Sequence, residues 1–173
     1  MKKRLLVIAG PSGCGKNYIT DLLIGTYPEL FQQLPQYTTR EKRTPDENTY
    51  HFISKSHYDV IEHALIAKTE INGYHYGTVP SFEENKIGII IANKKGIESL
   101  REYLSNNTDN VEVFYLGIDS EQPKERDERT KEYVANERKE LKPIINDWLV
   151  NIPPYNYITA EDVYQYLENK KFI

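Results

Sequence analysis

A glycine-rich stretch directly behind the first apolar segment constrains this chain more than any other feature. Residues 10–16 read GPSGCGK, and the apolar run LLVIA leads straight into them. Glycines let the backbone curl so that successive N–H groups point inward, and the terminal lysine adds a positive charge. A buried strand, a loop with the spacing G-x-x-x-x-G-K and a following helix together form a cradle for phosphate groups. The stretch therefore predicts a nucleotide-phosphate site at the end of a strand.

We expect this loop and the first residues of the next helix to bind the phosphates of a nucleoside triphosphate. Lys16, which can reach the terminal phosphates, is also a catalytic candidate. Asn17 stands where the motif usually has Ser or Thr to hold Mg²⁺, which makes it both a departure and the metal candidate. The alternative is a glycine-rich turn that binds nothing. The candidate loop contacts are Gly10, Pro11, Ser12, Gly13, Cys14, Gly15, Lys16, Asn17 and Tyr18.

Strand and helix patterns alternate along most of the chain. Residues 87–92 are continuously apolar and β-branched, which is typical of a strand covered on both faces, and residues 111–118 predict another strand. Residues 159–162 have the spacing of a helix-capping box. Alternating elements predict an α/β fold with a parallel sheet, helices on both faces and ligands at the carboxyl ends of the strands. The charge-rich residues 121–141 predict either a solvated helix or a flap.

Residues 34–78 interrupt this alternation with short β patterns. Asn72-Gly73 between two such patterns predicts a hairpin, because both turn positions need positive φ. Residues 33–38 predict one strand leading into the insertion, and residues 81–84 have the spacing of a brief helix start. We expect a single domain, residues 1–173, with a core of residues 1–33 and 79–173, an insertion of residues 34–78 and a lid of about residues 120–142.

Arginines and tyrosines cluster in the insertion. Arg40 and Arg43 can clamp one phosphate, since each guanidinium offers a bidentate fork, and Tyr50 and Tyr76 add neutral donors. Each alone could be an exposed arginine or a packing tyrosine. Together, on an insertion near the phosphate loop, they favour a second phosphate site.

Charge, cysteine content and apolar runs exclude several classes of protein. The net charge of −4 argues against a nucleic-acid binder with a basic surface. No apolar run approaches the roughly 20 residues of a membrane span, and the first is shorter than the roughly 7–15 residues of a signal peptide. The single cysteine precludes an intramolecular disulfide, so we expect a cytoplasmic protein. The 4 histidines lack zinc-ligand spacing, and oligomeric state cannot be inferred.

The ordered set of motifs resembles the guanylate kinase family over nearly the whole chain. The matching segments are residues 10–16, Thr38-Thr39-Arg40 with Arg43, Tyr50-His51-Phe52, and Gly73 with Tyr76-Gly77-Thr78; weaker ones are Gly96-Ile97 and residues 147–150. The resemblance implies a P-loop NTPase fold, a nucleoside-monophosphate-binding insertion, a short helical lid, and transfer of the γ-phosphoryl group of ATP to a nucleoside monophosphate with Mg²⁺.

The resemblance also implies roles for individual residues. Arg40, Arg43, Tyr50 and Tyr76 would hold the acceptor phosphate, and lid cations would cover the transferring group. The lid candidates are Arg126, Arg129 and Arg138, for which salt bridging along a solvated helix is an equal alternative. The further acceptor-site candidates are Gln36, Glu70, Gly77, Thr78 and Asn93.

The departures from the family pattern concentrate at the positions that would contact the nucleotide base and the metal ion. Where the family has a glutamate that hydrogen-bonds the guanine edge, this chain has Ala67. Strand alternation places the nearby Glu70 on the opposite face, but Glu70 stays among the candidates. Gln36 replaces a serine, and Ile91 and Asn93 replace aspartates. Asp119 is either a stand-in magnesium ligand or, by preference, a helix cap.

Three hypotheses follow. The chain is a kinase for GMP or dGMP with altered contacts, a kinase for another nucleoside monophosphate whose base is read by Gln36, or a catalytically weak relative that binds nucleotide or protein. Scaffold members of the superfamily tend to lose the phosphate loop, whereas this chain keeps Lys16 and the loop glycines. The enzyme hypotheses are therefore favoured.

Overall fold

The computed structural model of the chain describes residues 2–107, 110–124 and 130–173, which form nine strands and five α-helices. In chain order the elements are β1 (Lys3–Ala9), α1 (Lys16–Thr26), β2 (Phe31–Gln33), β3 (Gln36–Thr38), β4 (His51–Phe52), α2 (Lys55–Ile61) with a 3-10 turn (Glu62–Ala64), β5 (Ile66–Ile71), β6 (Tyr74–Thr78), β7 (Ile87–Ile91), α3 (Lys94–Asn106), β8 (Val111–Ser120), α4 (Lys131–Leu141), β9 (Asp147–Asn151) and α5 (Ala160–Asn169).

The first sheet has five strands in the order β2-β7-β1-β8-β9, all parallel. Leu6 in β1 lies level with Ile89 in β7 and with Phe114 in β8. The carboxyl ends of the three central strands therefore meet at one edge, from which the glycine-rich loop emerges. This is the parallel sheet that the alternating pattern predicts.

Alternate residues of β1 belong to two separate cores. Leu6 and Ile8 pack with Ile19 of α1 and Val163 of α5. Leu5 and Val7 pack on the other face in a core that includes residues of α3 and α4. Both faces of the sheet are thus covered, which confirms the α/β fold class. No described helix combines the length and the apolar character needed to cross a membrane.

The second sheet is built from residues 36–78 and has the order β4-β3-β6-β5. Strands β3, β6 and β5 are antiparallel neighbours, and β4 pairs parallel to β3. The predicted hairpin is confirmed, since Asn72 and Gly73 have φ of 53° and 79°. Strand β5 attaches this sheet to the core, where Ile66 packs with Ile97 of α3 and the Lys68 N–H donates to Ser99 Oγ at 3.1 Å.

Two local predictions are wrong. Residues 33–38 do not form one strand, because β2 ends at Gln33 and β3 begins at Gln36 in the other sheet; Pro35 between them has no N–H to continue a ladder. Residues 81–84 form no helix. The Gln32 side chain instead holds this segment as a loop, since it donates to Ser81 O and accepts from the Glu83 N–H.

Two helix starts agree with their sequence patterns. Thr159 and Asp162 form the reciprocal capping box of α5. In the charge-rich segment, α4 begins at Lys131 with the Thr130 side chain as its cap. The helix alternative for that segment is therefore confirmed for residues 131–141.

Candidate functional site

A cavity of about 400 Å³ joins the glycine-rich loop to the second sheet. Most of the residues proposed from the sequence line it. These are Gly10, Ser12, Gly13, Gly15, Lys16, Asn17, Tyr18, Gln36, Arg40, Arg43, Tyr50, Tyr76, Gly77 and Asn93. The fold thus brings the two proposed phosphate sites, which are far apart in sequence, to one space.

The loop lies tightly against the end of β8 and the residues that follow it. A Cβ atom at Gly10 would lie 2.0 Å from Ile118 O, and one at Gly13 would lie 2.2 Å from Lys124 O. The Lys124 N–H also donates to Gly13 O at 3.0 Å. Glycine is therefore required at both positions for close backbone contact.

The loop already binds a carboxylate of the protein. The Ser12 N–H donates to Glu137 Oε2 of α4 at 2.8 Å. The Lys16 ammonium donates to the loop's own carbonyls, Gly10 O at 2.8 Å and Pro11 O at 2.9 Å. Glu137 thus occupies one of the N–H groups that the motif offers to a phosphate oxygen.

Asp119, at the end of β8, holds α4 next to the loop. Its carboxylate accepts two hydrogen bonds from Arg138, from Nε and Nη2, both at 2.7 Å. Burial alone would raise the pKa of Asp119, but the bonds from Arg138 and from the Ser120 N–H bring it below its ordinary value. The expectation that Asp119 caps a helix is wrong, because it forms an ion pair.

Arg138 does not line the cavity. Its guanidinium is bound by Asp119 and by Ser120 O, so the geometry favours the salt-bridge alternative over a catalytic role for this lid arginine. The other two lid candidates, Arg126 and Arg129, lie outside the described residues. Lys124 and Tyr133 line the cavity on this side, although the sequence did not single them out.

Cys14 lies beneath the loop with its thiol towards Asp119, 3.7 Å from Oδ1. Burial first, and then the Asp119 carboxylate, raise the pKa of the thiol to about 11. Like Pro11, Cys14 does not line the cavity; its backbone carbonyl accepts a hydrogen bond from the buried Asn151. The thiol therefore has a packing role.

The arginine cluster on the insertion is organised by Glu47, which the sequence analysis missed. Glu47 binds Arg40 through Oε1 to Nη2 at 2.6 Å and Oε2 to Nη1 at 3.2 Å, and it accepts the Arg43 N–H at 2.7 Å. These bonds, with Arg40 as the largest cause, lower the pKa of Glu47. The rings of Tyr50 and Tyr76 lie edge to face, 5.7 Å apart, on the same wall. The arrangement can present Arg40 and Arg43 to one anion.

The far end of the cavity has neutral side chains. Gln36 Nε2 donates to Ile91 O at 3.2 Å and to Thr78 Oγ1 at 3.4 Å. Asn93 caps α3 by accepting the Gly96 N–H at 2.9 Å. Thr78 is fully buried and is not part of the cavity lining. Thr78 therefore positions Gln36.

Glu70 points away from the cavity. It is exposed, and its carboxylate lies 3.9 Å from the His75 imidazole on the outer face of the second sheet. Ala67, Thr69 and Ile71, at alternate positions of the same strand, line the cavity instead. The prediction that Glu70 binds the acceptor is therefore wrong. Successive residues of a strand face opposite sides of the sheet, as the sequence analysis noted for Glu70.

Comparison with known proteins places these features in a family. The family model described as guanylate kinase matches residues 2–165. A guanylate kinase of Helicobacter hepaticus is 32% identical over 114 residues, covering 61% of this chain but only 56% of that protein. MAGUK p55 subfamily member 4 of Mus musculus is 33% identical over 109 residues, covering 58% of this chain and 17% of that protein.

A solved structure shares the fold along the whole chain. The crystal structure of guanylate kinase from Anaplasma phagocytophilum superposes with a TM-score of 0.64 at 16% identity, covering 99% of this chain and 88% of that one. The family match spans both the loop around Lys16 and the insertion that carries Arg40 and Arg43. The chain therefore belongs to the guanylate kinase family.

Proposed function

We propose that this chain is a nucleoside monophosphate kinase that transfers the γ-phosphoryl group of ATP to GMP or dGMP. The observation that carries the proposal is the cavity that joins the Lys16 loop to Arg40 and Arg43. Two cationic phosphate sites facing one space suit a donor triphosphate and an acceptor monophosphate. Family membership and the name of the Helicobacter relative support the same reaction.

The proposed mechanism is positioning and charge neutralisation, without a covalent intermediate on the protein. Lys16 and the loop N–H groups would hold the donor phosphates. Arg40 and Arg43 would orient the acceptor phosphate so that its oxygen attacks in line. Lys124, together with lid arginines from residues 125–129, would cover the transferring group and exclude water, which otherwise competes as the acceptor.

Mg²⁺ fits this site as an ion held mainly by phosphate oxygens and water. Among the described residues no three His, Cys, Asp or Glu side chains cluster as a metal site. Mg²⁺ commonly keeps several waters and shares the substrate phosphates, so it needs few protein ligands. Asn17, which lines the cavity, would supply a neutral amide oxygen. The ion would neutralise charge on the donor phosphates.

The test is a coupled assay of ADP formation with each common ribo- and deoxynucleoside monophosphate. We expect turnover with GMP or dGMP, and a loss of more than about 100-fold in kcat for Lys16→Ala because the donor charge is then unpaired. Lys95→Ala is the matched control, since Lys95 is an exposed lysine of α3. A kcat that Lys16→Ala leaves undiminished would refute the proposal.

A second candidate is a kinase for another nucleoside monophosphate, favoured by the absence of a carboxylate at Ala67. Turnover with a different base and none with GMP would select it. Measurable ATP binding without turnover of any monophosphate would instead indicate a nucleotide-binding module. The single cysteine supports the cytoplasm as the proposed compartment.

A further inference from the structure

We infer that Thr69 is a specificity-determining residue whose hydroxyl contacts the base of the acceptor nucleotide, in a base pocket that is neutral in the described part of the chain. The inference deepens the proposed function and rests on it. It names the side chain that takes over base reading where the glutamate of the family pattern is absent, and it limits how strictly guanine is selected.

The Thr69 hydroxyl has no hydrogen-bond partner within the described part of the chain. Among the described residues, its Oγ1 is the buried side-chain oxygen or nitrogen without a hydrogen bond. A buried hydroxyl left unpaired lowers stability, so such groups in native proteins call for an explanation. Thr69 lines the cavity with a half-buried side chain, and a rotation about its χ1 bond would turn the buried hydroxyl towards a ligand there.

A bulge in β5 sets the position of Thr69. The pairing of β5 with β6 shifts between Ile66 and Thr69, and Ala67 within the shift has φ of 51°. After the shift Thr69 lies opposite Tyr76, whose ring is on the cavity wall. Bulges re-aim side chains next to binding sites. The local backbone is thus arranged to face Thr69 inward, next to the proposed acceptor-phosphate ligand Tyr76.

Gln36 stands across the pocket from Thr69. Gln36 pairs with Thr78 and Thr69 pairs with Tyr76, so strand β6 and a two-residue offset separate them, and their Cα atoms lie about 12 Å apart. Both hydrogens of the Gln36 amide are directed at Thr78 Oγ1 and Ile91 O. The group left for a ligand is the amide oxygen, an acceptor. A base between the two residues would donate an N–H to Gln36 and exchange a hydrogen bond with the Thr69 hydroxyl.

The carboxylates of the cavity lie away from Thr69 and Gln36. Its two described carboxylates, Glu47 and Glu137, are bound to Arg40 and to the Ser12 N–H in the phosphate half. Guanine presents two adjacent donors, which a carboxylate pairs best. The pocket therefore suits a base that donates one N–H to Gln36 and has a neighbouring group that can hydrogen-bond the Thr69 hydroxyl. Its preference for guanine over other bases should be weak.

The experiment compares Thr69→Val, which keeps the shape and removes the hydroxyl, with Thr69→Ser, which keeps the hydroxyl. For Thr69→Val we expect KM for the best acceptor to rise about tenfold, with KM for ATP and kcat nearly unchanged, and Tm to increase. Thr69→Ser should restore the acceptor KM. Thr26→Val is the matched control, because Thr26 is exposed at the end of α1.

Two results would overturn the inference. One is an acceptor KM unchanged in Thr69→Val for every monophosphate that the wild type uses. The other is a wild-type preference for GMP of more than about 1,000-fold, because the inferred pocket has no carboxylate to pair the two adjacent donors of guanine. If the wild type phosphorylates nothing, the proposed function fails, and calorimetric binding of the monophosphates to both variants decides the role of Thr69 separately.

Discussion

At the scale of single residues, Cys14 shows how its surroundings determine the reactivity of a side chain in the phosphate loop. It is 1% exposed, and burial together with Asp119 raises its thiol pKa to about 11. The thiolate is the reactive form of cysteine. At pH 8 the folded protein should therefore react with a thiol reagent at least about 200-fold more slowly than the unfolded chain, whose cysteine pKa is about 8.5.

Because the chain has 1 cysteine, the measurement is a single rate with Ellman's reagent. The same protein in denaturant is the control. The expected dependence on pH follows from the direction of the shift, since the folded rate should keep rising above pH 9 where the unfolded rate levels off. Rapid modification of the folded protein at pH 8 would contradict the burial of the thiol.

Individual site residues were predictable where a short motif fixes them. Lys16, Arg40 and Arg43 line the cavity because loop and insertion spacing place them there. Glu47 and Glu137 were not predictable, because what each carboxylate binds depends on tertiary contacts. The Glu137 bond joins residues 125 positions apart in sequence. Thr69 gave no signal either, since an unpaired hydroxyl becomes visible only once its neighbours are placed.

At the scale of elements, α4 places the Glu137 carboxylate on the phosphate loop, where it would compete with a bound nucleotide. Nucleotide phosphate and the Glu137 carboxylate cannot both accept the Ser12 N–H. A charge-assisted hydrogen bond contributes about 1.5–3 kcal/mol and a neutral one about 0.5–1.5. Glu137→Gln should therefore lower the Kd for ATP by about three- to tenfold.

Fluorescence titration with ATP at fixed Mg²⁺ measures this effect. Glu140→Gln serves as the matched control, because Glu140 is an exposed carboxylate of the same helix. An unchanged Kd for Glu137→Gln would mean that the contact does not oppose binding. A weaker affinity would mean that the carboxylate supports the bound nucleotide.

The helices and strands were largely predictable, because the periodicity of apolar residues and the residue types of turns and caps are local features of the sequence. The hairpin at Asn72-Gly73 and the capping box at Thr159 follow from a few adjacent residues. One failure arose where a distant partner decides, and the other at a proline inside the predicted strand. Gln32 holds residues 81–84 in a loop, and Pro35 sends the chain from one sheet to the other.

At the scale of the whole molecule, the Asp119–Arg138 pair ties α4 to the central sheet and makes stability depend on pH. The folded-state pKa of Asp119 is lowered. Its stabilisation is therefore complete above the unfolded pKa of about 3.9 and is lost as the pH falls through the lower folded value. At pH 7, Asp119→Asn should reduce the free energy of unfolding by about 1–3 kcal/mol.

Urea unfolding at several pH values between 7 and about 2.5 tests this expectation. The difference between wild type and Asp119→Asn should shrink below pH about 4, as the wild-type carboxylate is protonated. Asp21→Asn, at an exposed carboxylate of α1, should show no such trend. An equal difference at low and neutral pH would show that the ion pair is not its source.

Both proposed phosphate sites hold an internal anion, Glu47 at Arg40 and Glu137 at Ser12. Binding of a nucleotide at these sites would therefore exchange one anion for another, and few counterions from solution would take part. Because Glu47 already neutralises Arg40, long-range attraction of a polyanion to that guanidinium is weak and ionic strength has little to screen there. What distinguishes a nucleotide from other anions is then the number and geometry of its oxygens, which a two-oxygen carboxylate cannot match.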